Sequence, residues 1–275
     1  MEKIYVQMYS FASFSPEENE QNFAAAASLG FHGVELFGPN MAMAPTELSD
    51  VLKKNGLEAI SLHSDTNNIV PMIPFAKTLG LSFMGIGMHY IPDAQAAKDF
   101  ADRLNQIGEE CSKEGIMVTY HNHTQEFLDC GGTTILDILI ENTNPDYVGF
   151  ELDAGWCAAA GVDPIEFIKK HAGRIKLVHI KESKEVIGVQ AAMNPADMKR
   201  DENGWPIFSE EQKKAMEYAK SINCPAGEGL VDWKKLKEVA DAQGCVAYIV
   251  EREHTYAGER LDCLKADIQY YKENI

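Results

Sequence analysis

The sequence predicts a closed α/β barrel of eight parallel strands, the (β/α)8 or TIM barrel, formed as one domain over residues 1–275. Strand and helix patterns alternate along the chain, which favours βα units and a parallel sheet. The length of 275 residues is typical of such a barrel in a single domain. No GxGxxG motif follows the first strand, which counts against the alternative, a doubly wound open sheet.

The individual elements follow from short β-rich runs and the helical segments between them. The first helix is opened by Ser15-Pro16, because proline suits the first helical position and the acidic Glu17 and Glu18 suit the positive helix end. The predicted strands are Ile4–Met8, Gly33–Phe37, Ala59–His63, Phe83–Met88, Met117–Asn122, Val148–Asp153, Ile175–Ile180 and Ala247–Glu251. The predicted helices are Ser15–Leu29, Ala44–Lys54, Val70–Leu79, Asp93–Lys113, Thr134–Asn142, Asp163–His171, Trp233–Gln243 and Leu261–Lys272.

Residues 182–229 break this rhythm. The segment is long and polar, and prolines or glycines interrupt it at Asn194-Pro195, Gly204-Trp205-Pro206 and Cys224-Pro225, although Ser209–Ala219 has a helical pattern. Because it follows the seventh strand, it is predicted to lie over the barrel rim as an insertion that forms a lid or pocket wall. A plain surface insertion is the alternative.

Composition excludes several classes of protein. The formal net charge of -17 argues against nucleic-acid and anionic-membrane surfaces, because phosphate binding needs clustered Lys and Arg. No apolar run approaches the roughly 20 residues of a transmembrane helix, and the first ten residues have a strand pattern rather than that of a signal peptide. The six cysteines contain no CxxC, which is typical of a reducing compartment. A cytoplasmic location is expected.

Four predicted strands end in carboxylate or imidazole side chains. Because side chains alternate along a strand, Glu151 and Asp153 share one face, and the same holds for the pairs His121/His123 and Glu251/Glu253. In a parallel barrel these strand ends meet at one rim, where catalytic groups normally lie. The four runs are 118–123, 148–156, 174–181 and 246–253.

The predicted metal ligands are Glu126, Asp153, His179 and Glu251. Three carboxylates and one imidazole suit a divalent ion, with Mn²⁺ favoured and Mg²⁺, Co²⁺, Zn²⁺ or Fe²⁺ as alternatives. Such an ion polarises a carbonyl and a neighbouring hydroxyl, which lowers the cost of removing a carbon-bound proton. A single strand-end aspartate can instead simply cap the next helix, but four such ends favour a shared site.

Five motifs resemble the xylose isomerase-like TIM barrels. They are FELDAGW (150–156), LVHIKES (177–183), GEGLVDW (227–233), VEREH (250–254) and TYHNHTQEF (119–127). This sugar phosphate isomerase/epimerase group shares its fold with type-two apurinic endonucleases, and the resemblance covers nearly the whole chain. It implies one divalent ion held by Glu, Asp, His and Glu from four strand ends.

Asp153, His179 and Glu251 match the family's ligand positions, whereas the fifth strand departs from the pattern. Many members have Glu-Asn-His there, and this chain has His121-Asn122-His123. Either Glu126 reaches the ion or His121 replaces the glutamate. The resemblance implies that Glu126 and Glu251 exchange protons with the substrate through an enediolate; if Glu126 is not a ligand, His121 or His123 becomes the second base.

Four further residues are predicted to bind substrate: His63, Glu35, Lys181 and Trp156. His63 ends the third strand, and its alternative role is to tie down the next loop. Glu35 fits either a sugar hydroxyl or a cation. Lys181 fits an enediolate, a phosphate or a rim carboxylate, and Trp156 either stacks on a sugar or packs beside the sixth strand.

The predicted function is a divalent-metal-dependent sugar or sugar phosphate isomerase or epimerase that removes a proton next to a carbonyl. The alternative is a keto-sugar or inosose lyase or dehydratase that uses the same metal site, and a non-enzymatic sugar-binding barrel is the third reading. An apurinic endonuclease would need a basic DNA-facing surface, against which the net charge of -17 counts. The expected partner is a small carbohydrate, without nucleic acid or membrane, and a homo-oligomer is compatible with the fold.

Overall fold

Eight parallel strands close into a barrel in the computed structural model, which describes residues 3–12, 15–192, 194–199 and 207–275. Each strand pairs with the next along the chain, and the last pairs with the first, so the predicted (β/α)8 barrel is confirmed. The strands are Ile4–Gln7 (β1), Gly33–Leu36 (β2), Glu58–Ser64 (β3), Phe83–Ile86 (β4), Met117–His121 (β5), Val148–Asp153 (β6), Ile175–Ile180 (β7) and Ala247–Val250 (β8).

Ten α-helices lie in the described part of the chain. The first begins at Asn19, after a 3-10 turn at Pro16–Glu18. One short helix directly after β6 is absent from the sequence-based assignment, because six residues rich in Ala and Gly carry no helical period. The helices are Asn19–Leu29 (α1), Pro45–Lys54 (α2), Ile73–Leu79 (α3), Ala94–Ser112 (α4), Ile135–Asn142 (α5), Ala154–Ala159 (α6), Pro164–Lys170 (α7), Glu210–Ser221 (α8), Trp233–Ala242 (α9) and Arg260–Asn274 (α10).

The barrel interior is apolar at its floor and polar above it. Tyr5, Leu177, Ala247 and Ile249 form a small buried cluster inside the barrel, and the larger core packs between the strands and the helices. Because the strands alternate, the next inward positions towards the carboxyl ends carry polar side chains. Register brings two of these ends together, since Asp153 on β6 pairs with His179 on β7.

The insertion between β7 and α9 is tied to the barrel at both ends. Near its start, the amides of Ile187 and Gly188 donate to the carbonyl of Ala159 at the end of α6, over 2.8 and 3.0 Å. The two ends of the insertion meet at the carboxylate of Glu182, which accepts from the Gly227 amide at 2.6 Å and from the indole of Trp233, in α9, at 2.7 Å. The helical pattern at Ser209–Ala219 corresponds to α8, while Met193 and residues 200–206, including Gly204-Trp205-Pro206, lie outside the described residues.

Asp137 joins α5 to α7 on the outside of the barrel. Its side chain accepts from the Thr134 amide at 3.1 Å and so completes a capping box at the start of α5. The same carboxylate lies 2.7 Å from His171 Nε2 and 2.8 Å from Lys170 Nζ. Although burial opposes it, hydrogen bonding to His171, Lys170 and Thr134 lowers the pKa of the Asp137 carboxyl below its usual range.

We expect Asp137→Asn to lower the free energy of unfolding by about 1–3 kcal/mol at pH 7, because a charge-assisted hydrogen-bond network loses its acceptor charge. Since the folded-state pKa is depressed, this stabilisation is present above the unfolded-state pKa of about 3.9 and is lost as the pH falls towards the folded-state value. The gap between the wild type and the variant should therefore narrow below about pH 4. Urea unfolding at several pH values measures it, and Asp50→Asn on the exposed face of α2 is the matched control. A gap that does not change with pH would contradict the assignment.

Candidate metal centre and active site

Four side chains from neighbouring strand ends converge at the carboxyl end of the barrel: His121, Asp153, His179 and Glu251. One ligand atom from each lies within 4.8 Å of all the others. His121 Nε2 is 3.1 Å from His179 Nδ1 and 3.6 Å from Asp153 Oδ2, and His179 Nδ1 is 3.5 Å from Glu251 Oε2. We call these four residues the convergent cluster.

Local structure explains the position of Asp153. Its carboxylate Oδ1 accepts from the Trp156 amide at 2.7 Å and caps α6, which leaves Oδ2 directed to the cluster. Asn122 holds the backbone, since its side chain accepts from the Asp153 amide at 3.0 Å. A Cβ on Gly155 would come within 2.2 Å of the Lys181 carbonyl oxygen, so glycine is what allows α6 to start against the end of β7.

The convergent cluster fits a divalent cation. Asp153 Oδ2 and Glu251 Oε2 are buried and have no hydrogen-bond partner among the residues that the structure describes. A buried carboxylate oxygen without a partner is costly, and a cation that ligates it removes that cost. Two imidazole nitrogens and two carboxylate oxygens are donors that Zn²⁺, Fe²⁺, Co²⁺ and Mn²⁺ all accept.

Glu126, one of the ligands predicted from the sequence, lies apart from these four residues. It lies in a 3-10 turn, Gln125–Phe127, after β5. Its two carboxylate oxygens accept from the Tyr120 hydroxyl at 2.8 Å and from the His123 amide at 2.7 Å. Tyr120 alternates with His121 along β5, so Glu126 is bound on the outer face of the strand. His121 lies in the convergent cluster instead.

A second polar group lies one step deeper in the barrel, and we call it the inner layer: Gln7, Glu35, His63 and Glu151. Glu35 Oε2 is 2.8 Å from His179 Nε2 and accepts from Gln7 Nε2 at 2.7 Å. Glu151 Oε2 is 2.6 Å from His63 Nε2, and Glu151 Oε1 is 3.2 Å from His179 Nε2. His179 therefore connects the two groups, with Nδ1 towards the convergent cluster and Nε2 towards the inner layer.

The charged groups in and around the inner layer shift one another's pKa values. Burial alone would raise the pKa of the Glu151 carboxyl, but the neighbouring His179 and His63 rings hold it well below its usual range. Burial and the Glu151 charge raise the pKa of Glu35. Burial would lower the pKa of His179, yet Glu151 and Glu35 raise it well above its usual range. Nε2 of His179 lies between these two carboxylates, 2.8 Å from Glu35 Oε2 and 3.2 Å from Glu151 Oε1.

Lys181, Trp156 and His123 border the convergent cluster. Lys181 Nζ is 2.5 Å from Glu253 Oε1 and 3.8 Å from Glu251 Oε2, and it lies 4.4 Å from the centre of the Trp156 ring. Burial opposes the charge of Lys181, but Glu253 and Glu251 raise its pKa, so the side chain is an ammonium. The His123 ring is 6.2 Å from Trp156 and 4.9 Å from His121.

The structure separates the predicted site residues into these groups. Of the predicted substrate-binding residues, Glu35 is fully buried and His63 is largely buried in the inner layer, whereas Lys181 and Trp156 border the convergent cluster. Sequence-based selection missed Glu151, Glu253 and Gln7 as members of the site. The two-residue spacing puts Glu151 on the face of Asp153 and Glu253 on the face of Glu251, but spacing alone gives neither of them a role.

The chain belongs to the xylose isomerase-like TIM barrel family, whose model matches residues 23–273. Among curated relatives, an inosose dehydratase of Geobacillus thermodenitrificans is 27% identical over 176 residues, which cover 62% of this chain and 52% of the relative. One of Clostridium tetani is 35% identical over 88 residues, covering 32% of this chain and 29% of the relative. The chain thus spans about half the length, or less, of the curated relatives it matches.

Solved structures agree with the fold. A sugar phosphate isomerase/epimerase from Parabacteroides distasonis has a TM-score of 0.73 at 21% identity, covering 99% of this chain and 98% of that one. The IOLI protein with a binding zinc atom has a TM-score of 0.70 at 14% identity, covering 98% and 97%. Within the described ranges, no helix combines the length and apolar character needed to cross a membrane.

Proposed function

We propose that this chain is a metal-dependent enzyme that removes a proton next to the carbonyl of a neutral keto-polyol, such as an inosose or keto-sugar, and then expels a β-hydroxyl as water. The observation that carries the proposal is the chemical difference between the two groups beside the convergent cluster. One is the His123 imidazole and the other is the Lys181 ammonium. A dehydration needs one base and one acid, whereas inversion at one carbon needs two groups on opposite faces that exchange the roles of acid and base between the forward and reverse directions.

The convergent cluster would hold the ion through His121 Nε2, Asp153 Oδ2, His179 Nδ1 and Glu251 Oε2. When bound, a divalent ion polarises the substrate carbonyl and its neighbouring hydroxyl. The replacement of one expected carboxylate by His121 gives two nitrogen and two oxygen donors, which moves the preference from Mn²⁺ towards Zn²⁺, Co²⁺ or Fe²⁺. We propose Zn²⁺ as the first ion to test.

His123 is the proposed base. Its ring lies beside that of His121, with 4.9 Å between the ring centres, and the unprotonated nitrogen of a neutral imidazole can accept a proton. Removing the proton moves the C–H electron pair into an enediolate. Reformation of the carbonyl then expels hydroxide from the β-carbon, and Lys181 donates the proton that releases it as water. The net change is the loss of one water, without oxidation or reduction.

The cations near the cluster favour a neutral substrate over a phosphate ester. Lys181 is held between Glu251 and Glu253, and Arg252 pairs with Asp267. Arg260 donates to the carbonyl oxygens of Ser10, Arg252 and Glu253. Because these three cations already have partners, a phosphate dianion would have to break existing contacts. The hydroxyls of a polyol need only donors and acceptors.

Epimerisation is the second candidate. His123 follows β5 and Glu251 follows β8, so the two side chains approach the cluster from strands three positions apart around the barrel. A substrate between them would present one face to each group. His123 would then remove a proton from one face, and a proton from solvent, passed on by Glu251, would add to the other face, while His123 releases its proton to solvent.

The test is incubation of the Zn²⁺-loaded protein in D₂O with a panel of inososes, 3-keto-glycosides, ketoses and ketose phosphates. Proton NMR and mass spectrometry follow the products, with Asp153→Ala as the metal-site control. A dehydratase gives a product lighter by one water from a neutral member of the panel. An epimer that carries deuterium at the carbon next to the carbonyl would favour the second candidate. Absence of both exchange and product across the panel would overturn the proposal.

A further inference from the structure

The ring of His179 connects the convergent cluster to a carboxylate that no predicted role explains. Nε2 of His179 lies 2.8 Å from Glu35 Oε2, and both side chains are fully buried. Glu35 was expected to bind a sugar hydroxyl or to pair with a cation; its side chain lies below the convergent cluster and is closed to solvent. Its contacts are to protein groups.

A neutral imidazole has one N–H, which can donate a hydrogen bond, and one nitrogen with a free lone pair, which can ligate a metal ion. A ligating nitrogen needs a free lone pair, so the proton of a neutral, metal-binding histidine must be on the other nitrogen. In His179, Nδ1 faces His121 and Glu251, at 3.1 and 3.5 Å. The proton therefore belongs on Nε2, where Glu35 accepts it.

We propose that Glu35 is a positioning residue for the metal centre: it accepts a hydrogen bond from Nε2–H of His179 and thereby fixes the tautomer and the direction of the ring. The inference rests on the proposed metal-dependent function and deepens it. A carboxylate that binds the second nitrogen of a metal-ligating histidine also increases the basicity of the ligating nitrogen.

The rest of the inner layer holds Glu35 for this role. Gln7 donates its amide Nε2 to Glu35 Oε2 at 2.7 Å, which fixes the same oxygen that faces His179. His63 directs its Nε2 to Glu151 at 2.6 Å and to Glu35 at 3.3 Å. A Cβ on Gly85 would come within 2.6 Å of the His63 ring, so the glycine of β4 makes room for that arrangement.

The competing explanation for the position of Glu35 is a second metal ion in the inner layer. A ligand atom of each of four residues lies within 4.8 Å of the other three: Glu35, His63, Glu151 and His179. His179 could serve both ions only by losing both ring protons. The short contacts of Gln7 and His63 already supply N–H donors to the two carboxylates. One oxygen of each carboxylate, Glu35 Oε1 and Glu151 Oε1, is nevertheless buried without a hydrogen-bond partner among the described residues, so the number of ions per chain is the measurement that distinguishes the two explanations.

The experiment measures Zn²⁺ affinity by competition with a chromophoric chelator, without substrate, in wild type, Glu35→Ala, Glu35→Gln and Thr119→Val. Thr119 is equally buried inside the barrel, and its hydroxyl has no hydrogen-bond partner among the described residues. Thr119→Val is therefore the matched control for a polar change inside the barrel. Circular dichroism establishes that each variant is folded, and Glu35→Gln keeps the volume if Glu35→Ala does not fold.

We expect Glu35→Ala to bind Zn²⁺ about 10–100-fold more weakly than wild type, with Glu35→Gln between them and Thr119→Val unchanged. Long-range ¹H–¹⁵N spectra of the Zn²⁺-loaded wild type should show one histidine with a protonated Nε2 and a Zn²⁺-bound Nδ1. The signals are assigned to His179 by their loss in His179→Gln. In Glu35→Gln that Nε2 proton should exchange faster with water.

Two results would overturn the positioning role. One is an unchanged affinity and an unchanged His179 spectrum in the Glu35 variants, which would leave the metal centre and its reaction intact. The other is two Zn²⁺ ions per wild-type chain with one lost on Glu35 substitution. A wild type that binds no Zn²⁺ would instead remove the proposed function, and that outcome is visible in the wild-type measurement alone.

Discussion

His121→Ala should weaken Zn²⁺ binding by about 100-fold, whereas Glu126→Gln should leave the affinity unchanged. Structural zinc sites bind with about 10–16 kcal/mol, so one of four ligands contributes on the order of 3 kcal/mol, which corresponds to that factor. His121 Nε2 lies among the donor atoms of the convergent cluster. Glu126 instead has both oxygens bound by Tyr120, His123 and Gln125.

Chelator competition measures both affinities, and Asp153→Ala provides the reference for loss of a ligand at the same centre. We expect Asp153→Ala to lose at least as much affinity as His121→Ala, because Asp153 also caps α6. If instead Glu126→Gln bound Zn²⁺ weakly and His121→Ala bound it as tightly as wild type, Glu126 would be a ligand. The turn Gln125–Phe127 would then have to rearrange when the ion binds.

The difference between His121 and Glu126 shows where sequence reasoning ends. The strand pattern placed four polar ends at one rim, because side-chain alternation depends only on local sequence and a parallel barrel brings all its carboxyl ends to one side. Whether His121 or Glu126 reaches the metal centre depends on the other contacts that each side chain can make. Tyr120 donates its hydroxyl to Glu126 on the outer face, and that contact arises only after the helices have packed around the strand.

The inner layer shows a second limit. Glu35, His63 and Glu151 come from β2, β3 and β6, and no spacing along the chain relates them. Their contact with His179 follows from barrel closure, which brings strands distant in sequence across one interior. By contrast, residues related by a period of two, such as Glu151 and Asp153, could be assigned to one face from the sequence. The role of Gly85 in β4 becomes visible only in the structure, where the His63 ring lies beside it.

The end of β8 depends on a buried ion pair between Arg252 and Asp267. Arg252, which follows Glu251, donates from Nη2 to Asp267 Oδ1 on α10 at 2.9 Å and to the Cys224 carbonyl at 3.2 Å. Its Nε also donates to Asp267 Oδ2, and both side chains are buried. The guanidinium thus joins β8, the end of the insertion and the last helix.

Asp267→Ala should lower the free energy of unfolding by about 3–5 kcal/mol, because it leaves the Arg252 charge buried without a partner. The double variant Arg252→Met/Asp267→Leu should regain much of that loss, since apolar side chains of similar volume remove the uncompensated charge. Urea unfolding followed by circular dichroism measures each step. Glu166→Ala, which removes an exposed ion pair with Lys169, is the control and should change stability by less than about 1 kcal/mol.

Asp267→Ala should also weaken Zn²⁺ binding at the convergent cluster. Arg252 directly follows Glu251, so a shift of its backbone moves the ligand that Glu251 supplies, and Zn²⁺ affinity should fall in Asp267→Ala although Asp267 lies on α10, outside the cluster. The double variant separates the two effects: recovered stability with weak Zn²⁺ binding would mean that Arg252 itself aligns Glu251. If both the stability and the Zn²⁺ affinity recovered, apolar packing between the end of β8 and α10 would be enough to hold Glu251 in place. A loss of stability below about 1 kcal/mol in Asp267→Ala would contradict the buried pair as the connection between β8 and α10.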